Sequence, residues 1–350
     1  MTSSPATPRH RHRARGALRT GVWAGILTLA LLAWIIVSVT VGAADISAGD
    51  VWSSILARFG IGESPLTPLR DGIVWELRMP RILAAAAVGA GLALCGAIMQ
   101  AVLRNPLADP YLLGLSSGAS FGAVAVIVLG LAVALPGAAF AGSLIALLAT
   151  LLLARAAGPL LASRTILAGI AVSAVFSALT SLVIFWSATG DSYREILSWL
   201  LGSLAGIDWA ATALAVGAVV VIGLPLLLSA GTLDAFAFGD RAAISLGVSV
   251  TRTRWLLLGA TALLTGCLVA VSGSIGFVGL VVPHAVRLLV GSGHRALLPL
   301  SLLVGALFLV WADTLSRVAF EPRELPVGIV TALVGGPLFA ALLLRARRVT

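Results

Sequence analysis

The ionisable side chains of this sequence are few, and their types restrict the chemistry open to it. All 23 basic residues are arginines, so no segment can supply the lysine of a phosphate-cradling P-loop, and any ATP chemistry must come from a partner. Of the 4 histidines, His10, His12 and His294 stand in tails or loops, and His284 sits in the apolar stretch VVPHAVR. The 2 cysteines, Cys95 and Cys267, both fall inside apolar runs, where a thiol behaves as a small hydrophobe. A catalytic site needs a nucleophile with its acid–base partner, or a metal set at ligand spacing. The apolar runs contain neither His-x-x-x-His nor Cys-x-x-Cys, so neither an enzyme nor a metal site is expected.

What stands out instead is an elbow, RNPLADPYLLGLSSGA at 104–119, set between two long apolar runs. Pro106 and Pro110 prevent helix continuation, while Gly114, Ser116, Ser117 and Gly118 let the next helix approach its neighbours closely. The elbow reads either as a plain helix terminator, with Asn105 capping backbone groups, or as irregular backbone lining an aqueous cavity. A second internal stretch, 231–254, contains GDRAAISLG, in which Asp240 can cap a short helix and Gly247 can stop it.

The elements that must position these residues are membrane helices. Hydrophobic residues make up 59% of the chain and charged ones 11%, with a mean hydropathy of +1.08. No water-soluble domain has that balance. The run from Gly21 to Ala44 follows a basic flank; it is longer than the core of a secretory signal and is expected to stay as a first span. Arginines crowd both the N-terminal stretch 9–19 and the C-terminal Arg345, Arg347 and Arg348, which places both ends on the cytoplasmic side and requires an even number of crossings. Hydropathy wavers between nine and ten because 275–290 is short and carries Pro283, His284 and Arg287; parity selects ten. The expectation is an all-α polytopic membrane protein with ten transmembrane helices: a basic tail over 1–20, then one domain over 21–350.

Within the run 165–188, Gly169, Ser173, Ser177 and Thr180 or Ser181 recur at three- and four-residue steps and share a helical face. Such a small, weakly polar stripe suits either a pathway for a bulky ligand or close helix packing. Arg78, Arg81 and Arg317 fall on the external side against the positive-inside tendency. They fit either a carboxylate-bearing partner or a local one, Asp313 standing four residues before Arg317. An ion-coupled secondary transporter is the rival class, and it would need intramembrane ionisable relays. Only His284 and Asp313 qualify.

Several long stretches in order resemble one known family: GLALCGAIMQAVL before the elbow, LDAFAFGDRAAISLGV, GSIGFVGLVVPHAVRLLVG, ADTLSR at 312–317 and ELPVGIVTALVGGPLF at 324–339. They are similar to the membrane-spanning permeases of binding-protein-dependent ABC importers for iron-siderophores, haem and vitamin B12. The resemblance runs from about residue 20 to the C-terminus. It implies the ten-helix, type II importer architecture in the inner (cytoplasmic) membrane. A second permease copy or a homologous subunit would complete a central pathway. Two cytoplasmic ABC ATPase subunits would bind ATP and Mg, and an external substrate-binding protein would deliver the cargo. The chain itself binds no cofactor on this reading. The cargo would be a ferric siderophore, with vitamin B12 or haem as alternatives.

The resemblance also assigns roles. Asn105 and Leu107 of the elbow, with Ala162 and Ser163 in ASRTILAG, become the cytoplasmic gate. Gly169, Ser173, Ser177, Thr180 and Ser181 become the lining of the translocation pathway. Asp240, Arg241, Ala243, Leu246 and Gly247 become the contacts of a coupling segment that docks on the ATPase. Arg78, Arg81 and Arg317 become docking arginines for the binding protein.

Overall fold

The computed structural model describes residues 8–42, 46–58, 60–130, 134–158, 161–187, 190–320 and 323–346. Its helices are α1 (Pro8–Thr40), α2 (Ala48–Arg58), α3 (Pro68–Val102), α4 (Leu115–Leu129), α5 (Leu135–Ala156), α6 (Ala162–Ser187), α7 (Gly190–Leu201), α8 (Trp209–Ala237), α9 (Asp240–Ser245), α10 (Val250–Ser272), α11 (Val278–Val290), α12 (His294–Val318) and α13 (Val327–Ala346). The expected all-α class is what these elements form. The boundary drawn at residue 20 falls inside α1, which runs unbroken from Pro8, so the basic stretch continues the first apolar helix. Arg347 and Arg348, used for the parity argument, lie outside the described residues.

The count of ten spans is not established. Seven helices among the described residues are long and apolar enough to cross a bilayer, and α4, α11 and the apolar part of α13 are shorter. The physical reason is clear for two of them. Both α4 and α11 are preceded by segments that are not α-helical, 103–114 and 273–277, which shorten the helices that follow them. Unpaired backbone cannot face lipid; the elbow pairs its own amides in local turns, Ala108 N to Asn105 O and Gly114 N to Tyr111 O, both at 3.0 Å, and its Tyr111 side chain serves the backbone of Ile275. Tyr111 Oη donates to the Ile275 carbonyl (3.0 Å) and accepts from Ile275 N (3.2 Å). Ser116 and Ser274 share a hydroxyl hydrogen bond, and Thr150 Oγ1 donates to Leu113 O (2.9 Å).

The central element is α3, against which α12, α11, α10 and α8 pack. Its closeness to them comes from small residues: a Cβ on Gly89 would collide with the Gly305 carbonyl of α12, and one on Gly96 with the Gly279 carbonyl of α11. Lipid offers no hydrophobic drive for association, so this contact is van der Waals packing at short range. Proline is absorbed in a particular way. Pro80 in α3 and Pro225 in α8 each follow a widened turn, Ile73–Arg78 and Val219–Gly223, that takes up the missing donor and the clash four residues back. A second cluster, α4 against α5 and α6, stands beside α10.

Candidate functional site

Three of the predicted regions converge at the end of the bundle that carries α9. After α3 ends at Val102, Arg104 takes a left-handed backbone conformation (φ 50°), and the chain turns sharply into the elbow. Asn105 Oδ1 accepts from Leu107 N at 2.9 Å, a local turn that fixes the approach to Pro106. Asn105 therefore shapes the elbow with its side-chain oxygen, while Leu107 projects outward with 46% of its surface exposed. The Arg104 guanidinium reaches over to Gly239, where an added Cβ would lie 3.8 Å from its Nη1. A cavity of about 290 Å³ is lined by Leu103 and Arg104 of the elbow, Ala162 at the start of α6, and Asp240 and Arg254. Residues of the elbow, of the start of α6 and of α9, far apart in sequence, thus share one space.

The short helix α9 is framed by glycines at φ 96° (Gly239) and φ 82° (Gly247). Gly247 terminates it as expected: Val248 N reaches back to Ala243 O (3.0 Å) and Gly247 N to Ile244 O (2.9 Å). Asp240 is not the cap that was expected. The cap position is Gly239, and Asp240 is the first helical residue, where its charge suits the helix N-terminus. Its carboxylate is held by Arg254 Nη2 at 3.1 and 3.2 Å, which ties α9 to α10. Ala243 also differs from expectation. It is fully buried, because the inward face of so short a helix must pack on the bundle, so it supports α9 and cannot touch a partner. Arg241 and Leu246 are exposed, and Leu246 forms an apolar outer surface with Phe238 and Ile244, all more than 60% exposed.

The stripe on α6 divides. Gly169 is buried, with its Cα against the Leu112 carbonyl of the elbow, so it is a packing residue. Thr180 is buried and donates to Phe176 O (2.8 Å). Ser173 is half-buried, whereas Ser177 and Ser181 are exposed, with Ser181 Oγ donating to Ser177 O (2.9 Å). One edge of the stripe thus packs inside this chain and the other faces outward. Ser163 is exposed beside the half-buried Ala162.

The three arginines gather at the opposite end of the bundle, and each is turned into the protein. Arg78 Nη1 donates to Val39 O (2.5 Å) and Thr40 O (3.2 Å) at the end of α1. Arg81 Nε meets Asp313 Oδ1 at 2.9 Å and its Nη1 meets Glu324 Oε2 at 2.6 Å. Arg317 Nη2 donates to Ser38 O (3.1 Å) and Ser38 Oγ (2.7 Å), and its Nε lies 3.3 Å from Asp313 Oδ2 without hydrogen-bond alignment. All three are less than a tenth exposed. The local partner weighed for Arg317 is real, and Asp313 serves Arg81 as well. Sequence reading missed Glu324, Ser38 and the Arg81–Asp313 pair, because 232 residues separate the last two and no local pattern joins them.

Residues 30–345 match the model of the FecCD transport family. The chain is 44% identical over 288 residues to the uncharacterized ABC transporter permease protein YvrB of Bacillus subtilis, covering 80% of this chain and 81% of that one. It is 40% identical to the vitamin B12 import system permease protein BtuC of Citrobacter koseri, covering 93% of this chain and 95% of the relative. To the cobalamin import system permease protein BtuC of Halobacterium salinarum it is 41% identical, over 93% of this chain and 88% of the relative. Among solved structures it resembles a protein described as a metal-chelate type ABC transporter in an inward-facing conformation. That match has a TM-score of 0.80 and 33% identity, and covers 92% of this chain and 98% of the other. PsaBC from Streptococcus pneumoniae, at 18% identity and a TM-score of 0.57 over 78% of this chain and 93% of that one, shares the fold. With a family model covering 30–345 and relatives 40–44% identical over most of their length, the chain belongs to the FecCD transport family.

Proposed function

We propose that this chain is the membrane-crossing half of a binding-protein-dependent ABC importer that carries a bulky metal chelate inward by alternating access. The observation that carries the reading is the single cavity in which the elbow, the start of α6 and α9 meet. A push on α9 reaches the pathway mouth across one side-chain layer. In this scheme α9 lies at the cytoplasmic face, both termini are cytoplasmic, and two ATPase subunits supply ATP hydrolysis. The exposed apolar surface of Phe238, Ile244 and Leu246, with Arg241 beside it, suits docking into an ATPase cleft. Leu107 and Ser163 form the inner constriction, with Asn105 and Ala162 shaping their backbones. The outward edge of α6, Ser173, Ser177 and Ser181, lines the pathway formed with a second permease subunit.

Docking of the external binding protein belongs to the end that holds Arg78, Arg81 and Arg317. Since these arginines are engaged by their own chain, an acidic partner would exchange with Glu324, the half-exposed carboxylate on Arg81. For the cargo, the relatives named for vitamin B12 favour cobalamin, a cobalt chelate. A ferric siderophore is the second reading, supported by the likeness to a metal-chelate type transporter. Uptake of labelled cobalamin and of labelled ferric siderophores, by cells with and without the gene, separates the two. Loss of neither in a strain without a compensating transporter would remove both.

A further inference from the structure

Beside the gate–coupling cavity lies a second one, of about 390 Å³, with a different character. Its polar lining is Gln100, Arg104, Asn105, Arg287, Ser292 and His294, and its apolar floor comes from α8. Arg287 is half-buried on α11, and its Nη2 donates to Gln100 Oε1 at 3.0 Å. Gln100 cannot turn away, because its Nε2 is directed to Gly279 O (3.4 Å) and Leu280 O (3.2 Å). No carboxylate lines this cavity among the described residues. The acid touching its wall, Asp234, is occupied by His294, whose N and Nδ1 approach one carboxylate oxygen at 2.9 and 2.7 Å.

Arg104 contributes a second cation from a backbone conformation that residues other than glycine rarely adopt. Asn105 spends its side-chain oxygen on Leu107 N, which leaves an amide donor for a ligand. A half-buried guanidinium whose printed partner is a neutral amide favours a counter-charge, and two planar forks with amide donors match the oxygens of phosphate.

We propose that this cavity is an anion site that receives a phosphate group, carried by an anionic phospholipid headgroup or by free phosphate. The site is independent of the cargo. Because it borders both the elbow and the end of α8 that leads into α9, its occupant would brace gate and coupling segment against each other.

The test uses the full-length chain, purified and placed in nanodiscs. Thermal unfolding is followed with inorganic phosphate against chloride at equal ionic strength. Retained lipid is counted by native mass spectrometry after reconstitution with phosphatidylglycerol or phosphatidylcholine. Wild type should gain thermal stability with phosphate or keep one phosphatidylglycerol per chain. Arg104→Gln, an exposed position whose change leaves folding intact, should at least halve that response, Arg287→Gln should abolish it, and Arg287→Lys should restore part of it. Lipid retention without a phosphate response assigns the headgroup; a phosphate response without lipid retention assigns the free anion. No response in wild type, or equal responses in wild type and Arg104→Gln, overturns the proposal. So does finding that Arg104 and Arg287 are needed only for binding of an ATPase subunit, which would give the cavity to a protein carboxylate.

Discussion

Arg254 holds Asp240 through one guanidinium nitrogen placed 3.1 and 3.2 Å from the two carboxylate oxygens, and by that grip the six-residue helix α9 is fastened to the long helix α10. A helix this short has no stability of its own. Its position must come from this ion pair, from the buried Ala243, and from its glycine ends.

Replacing Asp240 by Asn is therefore expected to loosen α9 without unfolding the bundle. The carboxylate is 42% exposed, so the pair contributes at most about 1 kcal/mol. Hydrogen exchange should quicken several-fold over residues 240–248 and stay unchanged in α3 and α12. Transport per ATP hydrolysed, in vesicles with the partner subunits, should fall. Equal exchange in both proteins would show that Asp240 does not anchor α9.

Gly247 occupies φ 82°, a conformation that a β-branched residue adopts at a cost of about 1–2 kcal/mol. Gly247→Val should unwind the end of α9 and uncouple ATP hydrolysis from import, while membrane insertion remains normal. Gly247→Asn should be milder, because asparagine tolerates left-handed backbone. Normal transport by the valine variant would remove the helix end from the coupling path.

Asp313 is fully buried between Arg81 and Arg317, whereas Glu324 is half-exposed at the rim of the same cluster. Removing a buried counter-charge strands its partners, so Asp313→Asn should destabilise the detergent-solubilised protein by about 3–5 kcal/mol. Glu324→Gln should cost less than about 1 kcal/mol. It should also remove the counter-charge from the Nη1 side of Arg81, Asp313 keeping the Nε side, and strengthen capture of an acidic binding protein at low salt. Comparable melting temperatures for the two variants would contradict this ranking.

Tyr111→Phe removes a hydroxyl that serves both the N–H and the carbonyl of Ile275. Leaving buried backbone groups unsatisfied costs about 1–3 kcal/mol. The variant should melt earlier, and protection should drop at 274–277 and in the elbow together. A change confined to the elbow would argue that the two segments are independent.

Much of this fold was legible before any coordinates. Apolar run length gives the helices, the two prolines give the elbow, and Gly247 gives the end of α9. The failures share a cause: each depended on what a side chain meets across the bundle. Ala243 looks available in sequence, yet it faces inward. Arg81 and Arg317 look like outward cations until Asp313 is placed between them. The span count wavers at 275–290 because α11 starts only at Val278, after a stretch in which the backbone of Ile275 is held by the elbow's Tyr111.

That pairing also bears on how the protein is made. Ile275 leaves the ribosome 164 residues after Tyr111. The stretch 273–277 carries backbone groups that neither its own helices nor lipid can satisfy. The nascent chain must deliver it to an elbow already seated among α3, α5 and α6. The early helices are then a template on which the late ones are finished, and an insertion fault in the first 130 residues becomes a folding fault in the last 80.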